Sequence, residues 1–177
     1  MTTPLVVVAL IGLPGAGKSL IARALAARLG LHRICRDTIR AAMFPDCAYT
    51  LAEKRAAFRA VLTALDVNCA LGRSSVLDGM TFSRRAELAA VDEVLRPYPV
   101  QPLPVFVDCP AEIARERVSL DPHDHPARDR SPALVDAVLA RFEAPPPGCA
   151  VLDGRLDPDA LVAAAIALVR ARIDSGK

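Results

Sequence analysis

Residues 5–19 read L-V-V-V-A-L-I-G-L-P-G-A-G-K-S, and this stretch decides the fold. Its first seven residues are an unbroken run of aliphatic side chains. A strand with one wet face alternates apolar with polar residues. An unbroken run is the pattern of a strand buried on both faces, as in a parallel sheet. The last eight residues match G-x-x-x-x-G-K-[ST]. Glycines in such a turn let consecutive backbone N–H groups point inward around phosphate oxygens. A side chain at Gly15 or Gly17 is expected to obstruct that close approach. Residues 19–29, S-L-I-A-R-A-L-A-A-R-L, keep helical spacing and stop at Gly30, a good C-cap. Strand, glycine-rich turn and helix, in that order, aim a helix N-terminus at an anion.

The chemistry of this loop can be assigned residue by residue. Gly12, Leu13, Pro14, Gly15, Ala16, Gly17, Lys18, Ser19 and Leu20 are the expected phosphate-cradling segment. Lys18 would reach the β- and γ-phosphates of a nucleotide, and the Ser19 hydroxyl would ligate Mg²⁺. Such a metal site also needs an acid. Two apolar runs end in aspartate, at V-L-D (76–78) and F-V-D (106–108). Asp108 is followed directly by Cys109-Pro110, which suits a cap at a helix start. Asp78 is followed by Gly79-Met80-Thr81, with no immediate helix to cap. Asp78 is therefore the expected metal-side acid, through a bound water.

Strand and helix patterns alternate along the rest of the chain. Short strands are expected at 32–35, 75–78, 103–107 and 150–152. Helices are expected at 37–43, from Thr50 to about Gly72, and at 83–96, 110–119, 132–143 and from Asp157 onward. Thr50 and Glu53 have capping-box spacing. The 161–169 run, L-V-A-A-A-I-A-L-V, is too short to cross a bilayer and reads as a helix against the core. Residues 120–131, L-D-P-H-D-H-P-A-R-D-R-S, are polar and irregular. The alternation argues for a parallel sheet covered by helices on both faces. No repeat or linker appears, so one domain spanning 1–177 is expected.

Composition bounds the function classes. The 177 residues are 53% hydrophobic and 24% charged, with a formal net charge of +2. That balance makes no general case for a nucleic-acid or membrane partner. Five scattered cysteines, an odd number with no C-x-x-C, fit neither a zinc site nor a disulfide framework. The start M-T-T-P lacks the positive region of a signal peptide, so a cytoplasmic location is expected. His123 and His125, with Asp121 and Asp124, have no distant partner and read as a solvated loop rather than a metal site.

Residues 33–40, R-I-C-R-D-T-I-R, pose a separate question. Asp37 opens a helical pattern, and its spacing alone allows either an N-cap or a site acid. Here a resemblance adds to the residues. The Walker A segment, D-T-I-R at 37–40, V-L-D-G-M-T at 76–81, A-R-E-R-V at 114–118, R-F-E-A-P-P at 141–146 and V-L-D-G at 151–154 together resemble P-loop kinases of small substrates, within the AAA-family ATP-binding proteins. That group includes gluconate and shikimate kinases, chloramphenicol phosphotransferase, zeta toxins and the kinase domain of polynucleotide kinases. The resemblance implies a three-layer P-loop NTPase fold with a five-stranded parallel sheet in order 2-3-1-4-5, which strengthens Asp78 over Asp108. It implies ATP and Mg²⁺ as cofactors. It also implies that Asp37 contacts an acceptor hydroxyl and that Arg40 contacts the substrate or its phosphate. Arg117 is the expected arginine on the adenine or phosphate side, ahead of a lid at about 115–131. Arg128 and Arg130 follow; Arg117 and Arg130 are the candidate catalytic arginines, and the resemblance leaves open which lid arginine contacts the transferred phosphate.

The leading expectation is an ATP-dependent kinase acting on a hydroxyl of a small molecule. A polynucleotide 5′-hydroxyl kinase would want a basic channel and stacking aromatics. Aromatic residues are only 4% of the chain and Trp is absent. A zeta-like nucleotide-sugar kinase remains an alternative. An ATP-binding switch without an acceptor would explain the P-loop but not an acid-x-x-Arg or an arginine-bearing lid. Residues 44–60 and 79–85, including Phe44, Tyr49, Arg55, Arg59, Met80, Phe82 and Arg84, are expected to line the acceptor pocket.

Overall fold

The computed structural model of the protein describes residues 4–120, 127 and 129–175. The Asp121, His123, Asp124, His125 and Arg128 positions lie outside the described residues. In chain order the elements are β1 (Val7–Ile11), α1 (Lys18–Leu29), β2 (His32–Cys35), α2 (Arg36–Met43), α3 (Leu51–Ala70), β3 (Ser75–Asp78) and α4 (Arg85–Leu95). They continue with β4 (Pro102–Asp108), α5 (Ala111–Ser119), α6 (Pro132–Leu139), β5 (Ala150–Asp153) and α7 (Pro158–Ser175). The five strands form one sheet in the order β2-β3-β1-β4-β5. Every pairing is parallel.

The unbroken apolar run explains the position of β1. All five of its residues are buried. Val8 and Leu10 face one hydrophobic cluster, packed against Ile21 and Leu25 of α1, Val118 of α5, Val135 of α6 and Leu161 of α7. Val7, Ala9 and Ile11 face the other, packed against Val61 and Leu65 of α3 and Val91 of α4. Period-two side chains on a central strand thus feed two cores. Burying one such Val, Leu or Ile side chain is worth about 1.5–3 kcal/mol.

Several boundaries differ from the sequence expectation. The helix expected over 132–143 ends at Leu139. Its last amides turn tightly, with Arg141 N donating to the Val138 carbonyl and Phe142 N to the Leu139 carbonyl. The turn carries the Phe142 ring to Phe106, centroid to centroid 6.0 Å. Thr50 and Glu53 form the expected capping box at α3. Asp108 caps nothing, since Pro110 holds the N-cap position of α5. No described helix is long and apolar enough to cross a membrane.

Asp37 is not an N-cap. Strand β2 runs into α2 without a loop, so the last extended residue, Cys35, occupies the cap position (φ −107, ψ 114), with no side-chain cap bond. Arg36 is already helical, and Asp37 falls inside the first turn.

Candidate active site

The carboxyl ends of β1, β2 and β3 open on one edge of the sheet, where parallel sheets bind ligands. Segments following them enclose a cavity of about 300 Å³. Pro14, Gly15, Gly17, Lys18, Ser19 and Leu20 line it from the loop. Leu13 and Ala16 turn their side chains into the hydrophobic core instead, so only their main chain is available to a phosphate. Gly12 packs below the cavity, its amide donating to the Thr81 carbonyl at 3.1 Å.

The protein's own helices also crowd two of these glycines. A Cβ on Gly15, at φ +84, would lie 2.5 Å from the Ala114 carbonyl oxygen of α5. One on Gly17, at φ +103, would lie 2.8 Å from the Leu161 side chain of α7. A side chain at Gly15 therefore collides with the α5 backbone, and one at Gly17 is strained by its positive φ and must displace the end of the Leu161 side chain.

The Lys18 ammonium donates to the Gly12 and Leu13 carbonyls at 2.8 and 2.7 Å. Burial pulls its pKa from the ordinary 10.5 down to about 8; Asp78 opposes that shift and Arg130 adds to it. Ser19 Oγ donates to Asp78 Oδ1 at 2.9 Å. The same oxygen accepts the Gly79 amide at 2.7 Å. Asp108, the competing strand-end acid, is exposed on the far side of β1. Ser19 and Asp78 offer oxygen donors only, which suits a hard cation such as Mg²⁺. Two oxygens are fewer than a complete cage, as expected of a Mg²⁺ site completed by waters and substrate phosphates. Among the described residues no group of three or more His, Cys, Asp or Glu forms a separate metal site.

Asp78 has a partner that sequence reading missed. The Arg33 Nε and its terminal nitrogen reach Asp78 Oδ2 at 2.7 and 2.6 Å. The register explains it: Arg33 and Cys35 of β2 pair with Val76 and Asp78 of β3. Nothing local in the sequence signals this bond, because 45 residues separate the two. Arg33→Ala is expected to lower stability by about 1–3 kcal/mol, below the usual loss for a broken buried pair because Arg33 is partly exposed. The same substitution should raise the Mg²⁺ concentration needed for half-maximal nucleotide turnover. Lysine restores charge but not a two-nitrogen grip, so Arg33→Lys should recover only part of each effect. Urea unfolding and a Mg²⁺ titration check this; an unchanged Mg²⁺ requirement in Arg33→Ala would contradict it.

Gly79 brings the two acids together. It turns at φ +72, and a Cβ there would stand 2.9 Å from the Asp37 backbone nitrogen. The backbone after β3 thereby passes directly under the start of α2. Arg40 donates to Asp37 Oδ1 at 2.9 Å, and Arg36 approaches the same oxygen at 3.7 Å. Arg40 is only 2% exposed and lies over the Tyr49 ring, 4.5 Å from its centroid. Tyr49 itself takes a left-handed backbone, φ 57.

Arg117 and Arg130 also line the cavity. Arg117 is anchored by the Gly154 carbonyl at 2.9 Å and contacts Cys109 Sγ at 3.8 Å. Arg115, two positions earlier, points elsewhere and pairs with Asp136 at 2.7 Å. Burial holds the Arg130 guanidinium below its ordinary pKa, while Asp37 and Asp78 pull it upward. Of the residues expected on the acceptor side, Met80 reaches the cavity together with Gly79 and Thr81, whereas Phe44, Tyr49, Arg55, Arg59, Phe82 and Arg84 do not line it. Lys54 lies within the 44–60 segment expected there, whereas Arg36 and Asp129 were not singled out for it.

This fold, with a P-loop, a Ser–Asp pair and an acid-x-x-Arg around one cavity, defines a P-loop kinase. The chain belongs to the AAA domain family, whose model matches residues 7–145. A sugar kinase from Janibacter sp. HTCC2649 is similar at 25% identity and a TM-score of 0.70, over 94% of this chain and 95% of that one. A kinase described as putative, from Chloroflexus aurantiacus J-10-fl, superposes at a TM-score of 0.75 with 21% identity over 100% of both chains. A gluconokinase from Sinorhizobium meliloti 1021 does so at 0.70 with 18% identity, over 99% of this chain and 97% of that one. The last two likenesses carry the fold alone. No curated protein matches the chain in sequence.

Proposed function

We propose that the protein transfers the γ-phosphoryl group of ATP to a hydroxyl of a small molecule. The observation carrying this reading is that Lys18, the Ser19–Asp78 pair, Asp37 and Arg130 share one cavity. Phosphoryl transfer asks for in-line positioning, charge neutralisation and a group near the attacking hydroxyl. Lys18 and the loop amides hold the phosphates. Ser19 would bind Mg²⁺ directly and Asp78 through a water; the ion, when bound, supplies positive charge to the phosphate oxygens. Asp37, fixed through Oδ1 by Arg40, orients the acceptor hydroxyl and takes up its proton. Arg130 faces the transferred phosphate. The segment at about 115–131 serves as a lid that excludes water and so limits hydrolysis. Its central residues lie outside the described structure, so this role rests on Arg117 and on residues 129–131.

The experiment is ATP consumption with and without a panel of hydroxyl compounds, with mass spectrometry of the products. A phosphorylated acceptor supports the reading. ATP binding with no product from any acceptor would favour a nucleotide-dependent switch. Among the described residues no aromatic side chain lines the cavity, which favours a small acceptor over a stacked polynucleotide end.

Arg117 is proposed to grip the nucleotide. Its anchor on Gly154, in the turn after β5, puts it on the opposite flank of the loop from Asp37. Arg117→Ala should weaken ATP binding about 10-fold, the equivalent of one charge-assisted hydrogen bond, and leave acceptor KM alone. Isothermal titration with ATP measures the first and steady-state kinetics the second. Unchanged ATP affinity would move the nucleotide contact to Arg130 or Arg128.

A further inference from the structure

The acceptor half of the cavity contains a charge arrangement that the proposed transfer does not require. Asp129 reaches back from the segment before α6. Its Oδ1 lies 4.0 Å from the Arg40 guanidinium, and its Oδ2 lies 4.0 Å from the Lys54 ammonium of α3. At these distances the contacts are ion pairs without hydrogen-bond length, so exchange for a better-fitting anion costs little. Arg40 and Lys54 come from different helices and converge on one carboxylate. Tyr49 backs Arg40 from behind, which leaves its charge directed toward the cavity.

The balance of charge points the same way. Among the described residues, eight cationic and four acidic side chains line the cavity. That excess is larger than the about two negative charges a nucleoside triphosphate keeps after binding one divalent ion. A neutral alcohol would bring no charge to match Arg40 and Lys54 once Asp129 gave way.

We propose that the acceptor alcohol carries an oxyanion group, a carboxylate, sulfate or phosphate, which displaces Asp129 and binds between Arg40 and Lys54. This rests on the kinase reading and narrows its substrate class. Asp129 then acts as an internal counterion: it holds the two cations before the acceptor arrives and gives way when the acceptor enters. Asp37 lies 2.9 Å from Arg40, so the bound oxyanion would set the acceptor's hydroxyl close to Asp37.

The test uses the full chain saturated with Mg²⁺ and a non-hydrolysable ATP analogue, so that the loop is already filled. Sodium sulfate is titrated calorimetrically against chloride of equal ionic strength. Saturable sulfate binding is expected. Lys54→Gln should weaken it about 10-fold. Asp129→Asn should tighten it about 5-fold, the effect of removing one competing charge at 4 Å in water. No saturable sulfate binding, or binding indifferent to both substitutions, overturns the inference. A second arm compares matched alcohols under turnover: D-gluconate against D-glucose, and glycerate against glycerol. The acid of each pair should be the better acceptor, with its KM raised in Lys54→Gln and the KM for ATP unchanged. Preference for the neutral partners overturns the inference and leaves the kinase reading intact. Failure of transfer to every alcohol, with ATP bound, overturns the kinase reading instead; the sulfate arm needs no turnover and separates the two.

Discussion

Lys18→Ala is expected to lower phosphoryl transfer about 100- to 1000-fold, the usual cost of removing one preorganised charge-stabilising donor. The lysine is buried, and its only direction of reach is along the loop that would hold the phosphates. The substitution also leaves the Gly12 and Leu13 carbonyls without their donor, costing about 1–3 kcal/mol of stability. Circular dichroism must therefore show a folded variant before activity is compared. Full activity in a folded Lys18→Ala protein would remove the loop from the mechanism. The wild type carries a related pH signature. Lys18 titrates near 8, below its ordinary 10.5, chiefly because of burial. Its charge, and with it ATP affinity, should fade as pH rises through about 8. Stability should move the opposite way. Between about pH 8 and 10.5 the unfolded chain holds the proton that the folded chain has released, so this group's contribution to stability rises with pH in that window. ATP titrations and urea midpoints from pH 7 to 10 check both directions. An ATP affinity that stays level across that range would contradict the assignment.

Asp37→Asn is expected to lower kcat about 100- to 10,000-fold, the range attributed to a positioned general base, while changing ATP affinity less than 2-fold. Asparagine keeps the shape and the hydrogen bond from Arg40 but cannot take a proton. It also strips Arg40, nearly fully buried, of its closest counterion. Some loss of stability should follow, limited by Asp129 at 4.0 Å. Assays well below the lowered Tm separate that from chemistry. Equal losses in ATP affinity and in turnover would identify Asp37 as a structural partner of Arg40. Helix capping is no longer an alternative explanation, because Cys35 occupies the cap.

Legibility differed between the site's parts for physical reasons. The loop could be read because its function depends on consecutive backbone amides, so all its requirements lie within eight residues. The preference for Asp78 over Asp108 rested on a helix cap that Asp108 does not make; β3 and β4 both flank β1, and what sets Asp78 apart is its bond to Ser19, a contact across space. The Arg33–Asp78 bond and the pairing of Asp129 with Arg40 and Lys54 were not legible. Each joins side chains many residues apart, across a strand pairing or a cavity, and a lone charged residue in a sequence has no partner written beside it. The crowding of Gly15 by α5 and of Gly17 by α7 was not legible for the same reason.

By itself, then, the sequence determined a parallel α/β sheet, a phosphate loop and an acid-x-x-Arg, because periodicity, backbone chemistry and motif spacing are local properties. Tertiary structure alone decided that Asp37 stands inside a helix rather than capping it, that Arg33 holds Asp78, and that Asp129 occupies the Arg40–Lys54 pair. Electrostatic partners depend on distance in space, and those distances are set when β2 pairs with β3 and when Asp129 comes to line the same cavity as Arg40 and Lys54.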